Sequence, residues 1–127
     1  MSDNVNAVSV KGIYKNYGDV EALRDMSLDF PKGQLTSLLG PSGCGKTTLL
    51  KIIAGLLAPN QGEVYVNGQI VTEPGPDRAF VFQDFALMPW ASVLRNVAFG
   101  LELRKVSKSE REDIARKYIK DVGLDGF

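Results

Sequence analysis

The sequence contains no histidine, one cysteine and no long hydrophobic run among its 127 residues. Without histidine, neither histidine acid–base chemistry nor histidine metal ligation is available. The lone Cys44 excludes an internal disulfide and is typical of a reducing compartment. The longest apolar stretch, around Leu49 to Ala58, is too short for a bilayer span of about 20 residues, and Met1 to Asn6 shows no secretory signal. We therefore expect a soluble, cytoplasmic chain without direct membrane insertion.

Charge of one sign is also lacking, because 15 Lys and Arg residues balance 15 Asp and Glu residues. No general electrostatic field attracts the chain to nucleic acid, so we predict no nucleic-acid partner. The hydrophobic fraction of 44% is enough for a buried core. The length suits one domain or a piece of a larger one.

Most of the first half of the chain is predicted to form β-strands. Apolar alternation predicts strands from Val5 to Ile13 and from Leu23 to Phe30, followed by a tight turn at Pro31 to Gly33. The apolar run from Leu35 to Leu39 predicts a buried strand. Asn67-Gly68 between two β-prone runs predicts a hairpin. After a loop rich in proline, the run from Arg78 to Phe82 predicts one further strand.

Three helices are predicted from the spacing of apolar residues and from capping residues. One helix is expected from Gly45 to about Leu57, where Pro59 ends it. Ser92 can cap a second helix, with Val93, Val97 and Leu101 on its buried face. A third helix can begin at Ser107 or Ser109, because either serine completes a capping box. Its expected buried face carries Ile114, Tyr118 and Val122, and Gly123 suits the position just past its end.

A phosphate-binding loop is the strongest motif. The pattern G-x-x-x-x-G-K-[ST] is matched by Gly40-Pro41-Ser42-Gly43-Cys44-Gly45-Lys46-Thr47, with Thr48 next. The backbone must curl closely around phosphate, which requires glycine, and the amides at a helix start attract anions. Lys46 supplies a point charge for the β- and γ-phosphates, and Thr47 supplies a hydroxyl for Mg²⁺. A chance match in a glycine-rich turn is the alternative, but the flanking apolar strand and helix favour phosphate binding.

These motifs together resemble the ATP-binding subunits of ABC transporters. Beside the phosphate loop, Val81-Phe82-Gln83 is similar to the glutamine loop of that family, and Asn16-Tyr17-Gly18 to the segment that carries its adenine-stacking aromatic. Three further runs resemble the nitrate, sulfonate and taurine importer branch: Gly75-Pro76-Asp77-Arg78, Leu87-Met88-Pro89-Trp90 and Asn96-Val97-Ala98-Phe99-Gly100-Leu101. The similarity covers nearly the whole chain from about Val8.

The resemblance implies an α/β fold: a partial P-loop NTPase core with an N-terminal antiparallel β subdomain and the start of a helical subdomain. The core would occupy about residues 5–82, a glutamine loop and partner-facing segment residues 83–91, and the helical part residues 92–127. ATP and Mg²⁺ would be the cofactors. The nucleotide would be held by Tyr17, Gly40, Pro41, Ser42, Gly43, Cys44, Gly45, Lys46, Thr47 and Thr48.

The resemblance also assigns roles to single residues. Lys46 and Gln83 would act in catalysis, and Thr47 and Gln83 would contact the metal. The segment from Phe85 to Trp90 would face a transmembrane permease subunit, and a second ATPase subunit would complete a dimer on the inner face of the cell membrane. Three alternatives remain open: Tyr17 packed on a strand edge, Gln83 as a polar strand-end cap, and Phe85 to Trp90 as core. Cys44 is interpreted as a small, inert loop residue.

Several family features are not found in this sequence. The Leu-Ser-Gly-Gly-Gln signature, the strand ending in Asp-Glu and the switch histidine are missing, so the chain resembles the N-terminal half of such a domain. In the family, the strand before the phosphate loop is buried beside strands that come later. We therefore expect binding without appreciable turnover by this chain alone, with poor solubility or self-association.

Two other functions are kept as alternatives. A truncated, non-catalytic nucleotide-binding module would share every motif found here, and the coding sequence past Phe127 would separate it from the enzyme subunit. Another P-loop NTPase, such as a small-molecule kinase or a GTPase, is less favoured because no Asn-Lys-x-Asp motif for guanine occurs. The transported solute is not identified by any motif.

Overall fold

A computed structural model of the chain describes residues 6–84 and 86–126. These residues form two compact units, Met1–Val81 and Phe82–Phe127. The first unit contains a sheet with one helix, and the second contains two helices. Each unit is described by itself below.

The first unit is built on a four-stranded antiparallel sheet with the order β2-β1-β3-β4. Its strands are β1 (Asn6–Tyr17), β2 (Val20–Pro31), β3 (Gln61–Val66) and β4 (Gln69–Ile70). The first two predicted strands are confirmed, although both are longer than predicted and Val5 lies outside the described residues. The added length forms a hairpin in which Tyr17 pairs with Val20. Gly18 takes a positive φ of 60° at its tip, as a tight hairpin turn requires.

The second hairpin confirms the prediction made from Asn67-Gly68. Both residues have positive φ, 51° and 81°, which is the conformation of a type I′ turn. Val66 pairs with Gln69 directly across this turn. The Asn67 amide donates to the Ala7 carbonyl at 2.8 Å, which ties the turn to β1.

Helix α1 (Lys46–Ala54) packs on the sheet and closes the core of the first unit. The buried side chains of this core come from β1, β2, α1 and β3: Val10, Ile13, Leu23, Leu49, Ile52 and Val64. The helix is shorter than predicted, since it ends before Gly55 rather than at Leu57. Gly55 adopts the left-handed conformation, φ 83°, and its amide donates to the Ile52 carbonyl, which terminates the helix.

Two predicted strands are wrong. Residues 35–39 form no strand, and Leu35 and Leu39 are 97% and 100% exposed. Residues 78–82 also form no strand, and Val81 is 94% exposed. A buried strand needs hydrogen-bonded neighbours on its edges, and the one sheet among the described residues pairs with neither run.

The second unit consists of α2 (Val93–Leu103) and α3 (Lys108–Asp121). Both predicted caps are confirmed: the Ser92 hydroxyl accepts from the Arg95 amide at 3.1 Å. The Ser107 hydroxyl accepts from the Glu110 amide at 3.3 Å, so Ser107 rather than Ser109 begins α3. Gly123, with φ 78°, follows the end of α3 as predicted.

The predicted buried faces of these helices are wrong in part. The buried residues are Ala98 on α2 and Ala115 on α3, whereas Val93, Val97, Tyr118 and Val122 are exposed. Small residues let two helix backbones approach closely, which explains why alanines occupy the contact. Glu102 lies between two arginines beside this contact, 3.8 Å from Arg95 and 3.6 Å from Arg111.

Candidate functional site

The phosphate loop connects an extended segment to the start of α1. The Cys44 amide donates to the Pro41 carbonyl at 3.3 Å, which forms the turn of the loop. Gly43 and Gly45 take φ values of 84° and 95°, a conformation that residues with a side chain rarely adopt. No side chain caps the N-terminus of α1. The amides of its first turn therefore remain available to an anion, as the predicted chemistry requires.

Two glycines of the loop, Gly40 and Gly45, have little space for a side chain, whereas a Cβ atom at Gly43 would meet nothing within 4 Å. A Cβ atom at Gly45 would lie 2.8 Å from the Ala22 carbonyl oxygen and 2.8 Å from Leu23 Cδ2. A Cβ atom at Gly40 would lie 2.8 Å from Cys44 Sγ. The loop therefore packs directly against β2 on one side and folds closely on itself on the other.

Lys46 points its ammonium group back into the loop. Its Nζ atom donates to the carbonyl oxygens of Gly40 and Pro41, the second at 3.0 Å, and lies 3.5 Å from Cys44 Sγ. The cation and the first-turn amides of α1 thus belong to the same short segment. Cys44 itself is exposed and forms no disulfide.

The hydroxyl residues of the loop fit a magnesium nucleotide. Thr47 and Ser42 are exposed, and Thr48 is half-buried. No cluster of three or more His, Cys, Asp or Glu residues capable of holding a metal occurs within residues 6–84 and 86–126. Mg²⁺ keeps several waters and uses one or two protein ligands together with phosphate oxygens. A threonine hydroxyl beside a phosphate site is therefore a chemically suitable partner.

Tyr17 lies at the end of β1, on the same unit as the loop. Its ring is 48% exposed, and Lys15 Nζ lies 5.5 Å from the ring centroid. Lys15 also donates to the Ala58 carbonyl at 2.9 Å, which anchors its side chain. A half-exposed aromatic ring supported by a cation offers a surface on which a base can stack. No sequence pattern pointed to Lys15, because its contacts depend on how β1 meets the segment after α1.

Gln83 and the segment predicted to face a partner belong to the second unit. Gln83 is exposed, and Phe85 lies outside the described residues. Leu87 and Trp90 are 68% and 77% exposed, so neither is core within this unit. The structure thus groups residues 40–48 with Tyr17 in the first unit and places Gln83 in the second.

In the sequence, Asn96 was noted only as part of a run that resembles the importer branch. In the structure, its side chain forms hydrogen bonds with the segment that precedes α2. Its side chain accepts from the Met88 amide at 2.8 Å and donates to the Met88 carbonyl at 3.2 Å. It also donates to the carbonyls of Ala91 and Ser92. One side chain on α2 therefore holds the segment that precedes the helix.

None of the described helices is long and apolar enough to cross a membrane.

Comparison with known proteins gives the family of the chain. A sequence model described as ABC transporter matches residues 23–127. An uncharacterized ABC transporter ATP-binding protein of Methanocaldococcus jannaschii is 53% identical over 112 residues, which is 88% of this chain and 42% of that protein. A taurine import ATP-binding protein of Roseobacter denitrificans is 45% identical over 124 residues, 98% of this chain and 46% of that protein. An Escherichia coli protein of the same name is 44% identical over 119 residues, 94% and 47% of the two chains.

Solved structures agree with the sequence relatives. A dimeric ATP-binding cassette in a post-hydrolysis state, bound to ADP and phosphate, superposes with a TM-score of 0.78 at 32% identity and covers 89% of this chain and 56% of that one. A second dimeric structure of the same cassette, described as a bacterial ABC transporter cassette, gives a TM-score of 0.75 at 33% identity and covers 84% of this chain and 53% of that one. The predicted fold class, a partial P-loop NTPase core, is confirmed. The chain spans about half the length of the curated relatives it matches, and it belongs to the ABC transporter family of ATP-binding proteins.

Proposed function

We propose that this chain forms the nucleotide-binding part of an ABC-type importer ATPase and that it binds Mg-ATP at the loop from Gly40 to Thr48. The observation that carries the proposal is the phosphate loop itself. Gly45 packs against β2, Lys46 points its ammonium group into the loop, and the first turn of α1, which no side chain caps, follows directly. This arrangement supplies amide donors and one cation to a chain of phosphates.

Within this proposal, each predicted site residue keeps its role. Lys46 neutralises the β- and γ-phosphates, and Thr47 contributes its hydroxyl to Mg²⁺. Tyr17 stacks on adenine with its exposed ring face. Gln83 contacts the metal and the attacking water through its amide oxygen. The role of Gln83 rests on the family resemblance.

The import function and the partners are proposed on the similarity to taurine import ATP-binding proteins. A transmembrane permease subunit would contact the segment 85–90, where Leu87 and Trp90 present apolar surface. A second ATPase subunit would complete the dimer, as in the dimeric cassettes of similar fold. These partners place the protein in the cytoplasm, peripheral on the inner face of the cell membrane. Taurine as the solute follows the names of these relatives, and the wider nitrate, sulfonate and taurine class rests on the sequence resemblance.

Calorimetric titration with Mg-ATP tests the proposal. We expect the wild-type chain to bind, and Lys46→Ala to bind about ten- to a hundredfold more weakly, since a hydrogen bond to a charged group contributes about 1.5–3 kcal/mol. Lys32→Ala is the matched control, because Lys32 is an exposed lysine of the turn after β2. Equal affinity of Lys46→Ala and wild type would contradict the proposal.

Alkylation of Cys44 gives a second readout in the same loop. The thiol is exposed and lies 3.5 Å from Lys46 Nζ, so nucleotide bound there should slow its reaction with iodoacetamide. Labelling at the same rate with and without Mg-ATP would count against nucleotide binding at this loop.

The chain alone is expected to bind nucleotide with little turnover. Hydrolysis needs a positioned water, a base and charge stabilisation, and the sequence has no Asp-Glu strand end to supply the base. An ATPase rate that disappears in Lys46→Ala would overturn this expectation. Preference for GTP over ATP would favour a different P-loop NTPase.

A further inference from the structure

The loop that follows β4 is fastened to the C-terminal end of α1 by Arg78. The Arg78 guanidinium donates to the Ile53 carbonyl at 3.1 Å and to the Glu73 carbonyl at 3.0 Å, and its Nε lies 3.3 Å from Asp77 Oδ1. Only 16% of the side chain is exposed. A planar guanidinium can serve three acceptors in fixed directions, which a lysine ammonium on a flexible stem cannot do equally well.

Arg78 completes the hydrogen bonding at the end of α1. The last carbonyls of a helix have no partner inside it. Here the Lys51 carbonyl accepts from the Leu56 amide at 2.9 Å, and the Ile52 carbonyl accepts from the Gly55 amide at 3.1 Å. The next carbonyl, that of Ile53, accepts from Arg78. A cation is also favourable at the negative end of the helix dipole.

Two glycines allow the loop to approach this closely. A Cβ atom at Gly55 would lie 2.4 Å from the carbonyl carbon and oxygen of Glu73. A Cβ atom at Gly75 would lie 2.7 Å from Asp77 Oδ1 and 2.9 Å from Arg78 Nη2. The contact at Gly55 involves only backbone atoms of the loop, so it is evidence independent of Arg78. We call the contact of residues 73–78 with Ile53 and Gly55 the Arg78 latch.

The remaining packing holds α1 by one face. Leu49 and Ile52 are buried against the sheet, whereas Leu50 on another side of the helix is 43% exposed. At 1.5 Å per residue, a nine-residue helix is only about 13 Å long. A tilt or slide permitted at its C-terminal end therefore also displaces its N-terminal end, where Lys46 and the first-turn amides lie.

We propose that Arg78 is a positioning residue for the phosphate loop. The Arg78 latch fixes one end of α1 so that the amides and Lys46 at the other end are held in the geometry that binds phosphate. This inference rests on the proposed nucleotide binding at residues 40–48 and assigns to Arg78 a role at that same site. The sequence marked Arg78 only as part of a branch pattern.

The test is the affinity of folded variants for Mg-ATP. Arg78→Lys keeps the positive charge but removes the planar guanidinium that serves three acceptors. We expect its Kd for Mg-ATP to rise about three- to tenfold, because the phosphate loop loses its fixed geometry. Titration is carried out well below the unfolding temperature of each variant. Arg24→Lys is the control, because Arg24 is 78% exposed and its pair with Glu21 spans 3.9 Å, so its Kd should change less than about twofold.

A second pair of variants opens the latch without changing Arg78. Gly55→Ala pushes the Glu73 backbone away, whereas Gly33→Ala has a similar positive φ of 72° and nothing within 4 Å. Both substitutions carry the strain of a left-handed alanine. Only Gly55→Ala should weaken Mg-ATP binding, by about the same three- to tenfold factor as Arg78→Lys.

The outcomes separate a structural role from a positioning role. If Arg78→Lys and Gly55→Ala lower the unfolding temperature but bind Mg-ATP as tightly as wild type, the inference is overturned. If Lys46→Ala also leaves binding unchanged, the proposed nucleotide site fails together with it. Loss of affinity in both latch variants, with unchanged affinity in both controls, supports the inference.

Discussion

The four-stranded sheet and the apolar runs at residues 35–39 and 78–82 were all predicted to form strands, but only the residues of the sheet do so. Every strand of the sheet pairs with a neighbour, and Val10, Ile13 and Val64 are buried. Neither apolar run forms a strand of the sheet, and Leu35, Leu39 and Val81 are almost fully exposed. The sheet is made of hairpins and adjacent antiparallel strands, whose partners lie within the described chain. An apolar run forms a strand only where a neighbouring strand is available to pair with it, whatever its composition.

Truncation of apolar side chains gives the largest test of this contrast. Ile13 is 0% exposed, so Ile13→Ala should lower the free energy of unfolding by about 2–5 kcal/mol. Leu39→Ala removes a fully exposed side chain and should change it by less than about 0.5 kcal/mol. Urea unfolding followed by circular dichroism measures both. Similar losses in the two variants would show that residues 35–39 are buried in solution, by self-association or otherwise.

Replacing glycines of the sheet should have an effect of intermediate size on stability, and it tests how closely the strands pack. Gly62 and Gly68 have φ values of 93° and 81°, but a Cβ at Gly62 would lie 2.3 Å from the Gly12 carbonyl oxygen, and one at Gly68 would meet nothing within 4 Å. Both alanines carry backbone strain of about 1–2 kcal/mol. We expect Gly62→Ala to cost at least about 1 kcal/mol more than Gly68→Ala in urea unfolding, because β1 and β3 must separate. Equal losses of unfolding free energy in the two variants would mean that β1 and β3 can separate at little cost.

Cap removal gives the smallest effect and extends the contrast to the second unit. Ser107→Ala loses the hydrogen bond to the Glu110 amide and should destabilise α3 by about 1 kcal/mol. Ser109→Ala lies inside the helix and should change stability by less than about 0.5 kcal/mol. Helicity by circular dichroism during thermal unfolding measures both. The reverse order would mean that α3 begins at Ser109.

The sequence was a good guide wherever structure depends on neighbouring residues. The Asn67-Gly68 turn, the Ser92 cap and the Gly123 ending each follow from local backbone chemistry, and the structure confirms all three. The phosphate loop was equally readable, because its chemistry restricts residue types at fixed spacing. Its residues lie together in the first unit, although their roles in nucleotide binding remain a prediction.

The predictions that failed all depend on tertiary contacts. The buried faces of α2 and α3 were predicted from large apolar residues, whereas the buried residues of these helices are Ala98 and Ala115. Neither the strands predicted at residues 35–39 and 78–82 nor the contacts of Arg78 and Lys15 could be judged from periodicity. Each depends on which segment the fold brings alongside, and single-sequence patterns carry no information on that.

The contacts of Lys46 determine what kind of anion the loop can capture. Its ammonium already donates to the carbonyl oxygens of Gly40 and Pro41. If the loop binds nucleotide as proposed, binding is an exchange of acceptors at Lys46, in which phosphate oxygens displace backbone carbonyls. The free energy that Lys46 contributes to binding is then only the difference between two hydrogen bonds. This difference grows with the negative charge of the phosphate oxygens. The loop should accordingly rank its ligands by phosphate charge, with ATP ahead of ADP and AMP a poor competitor.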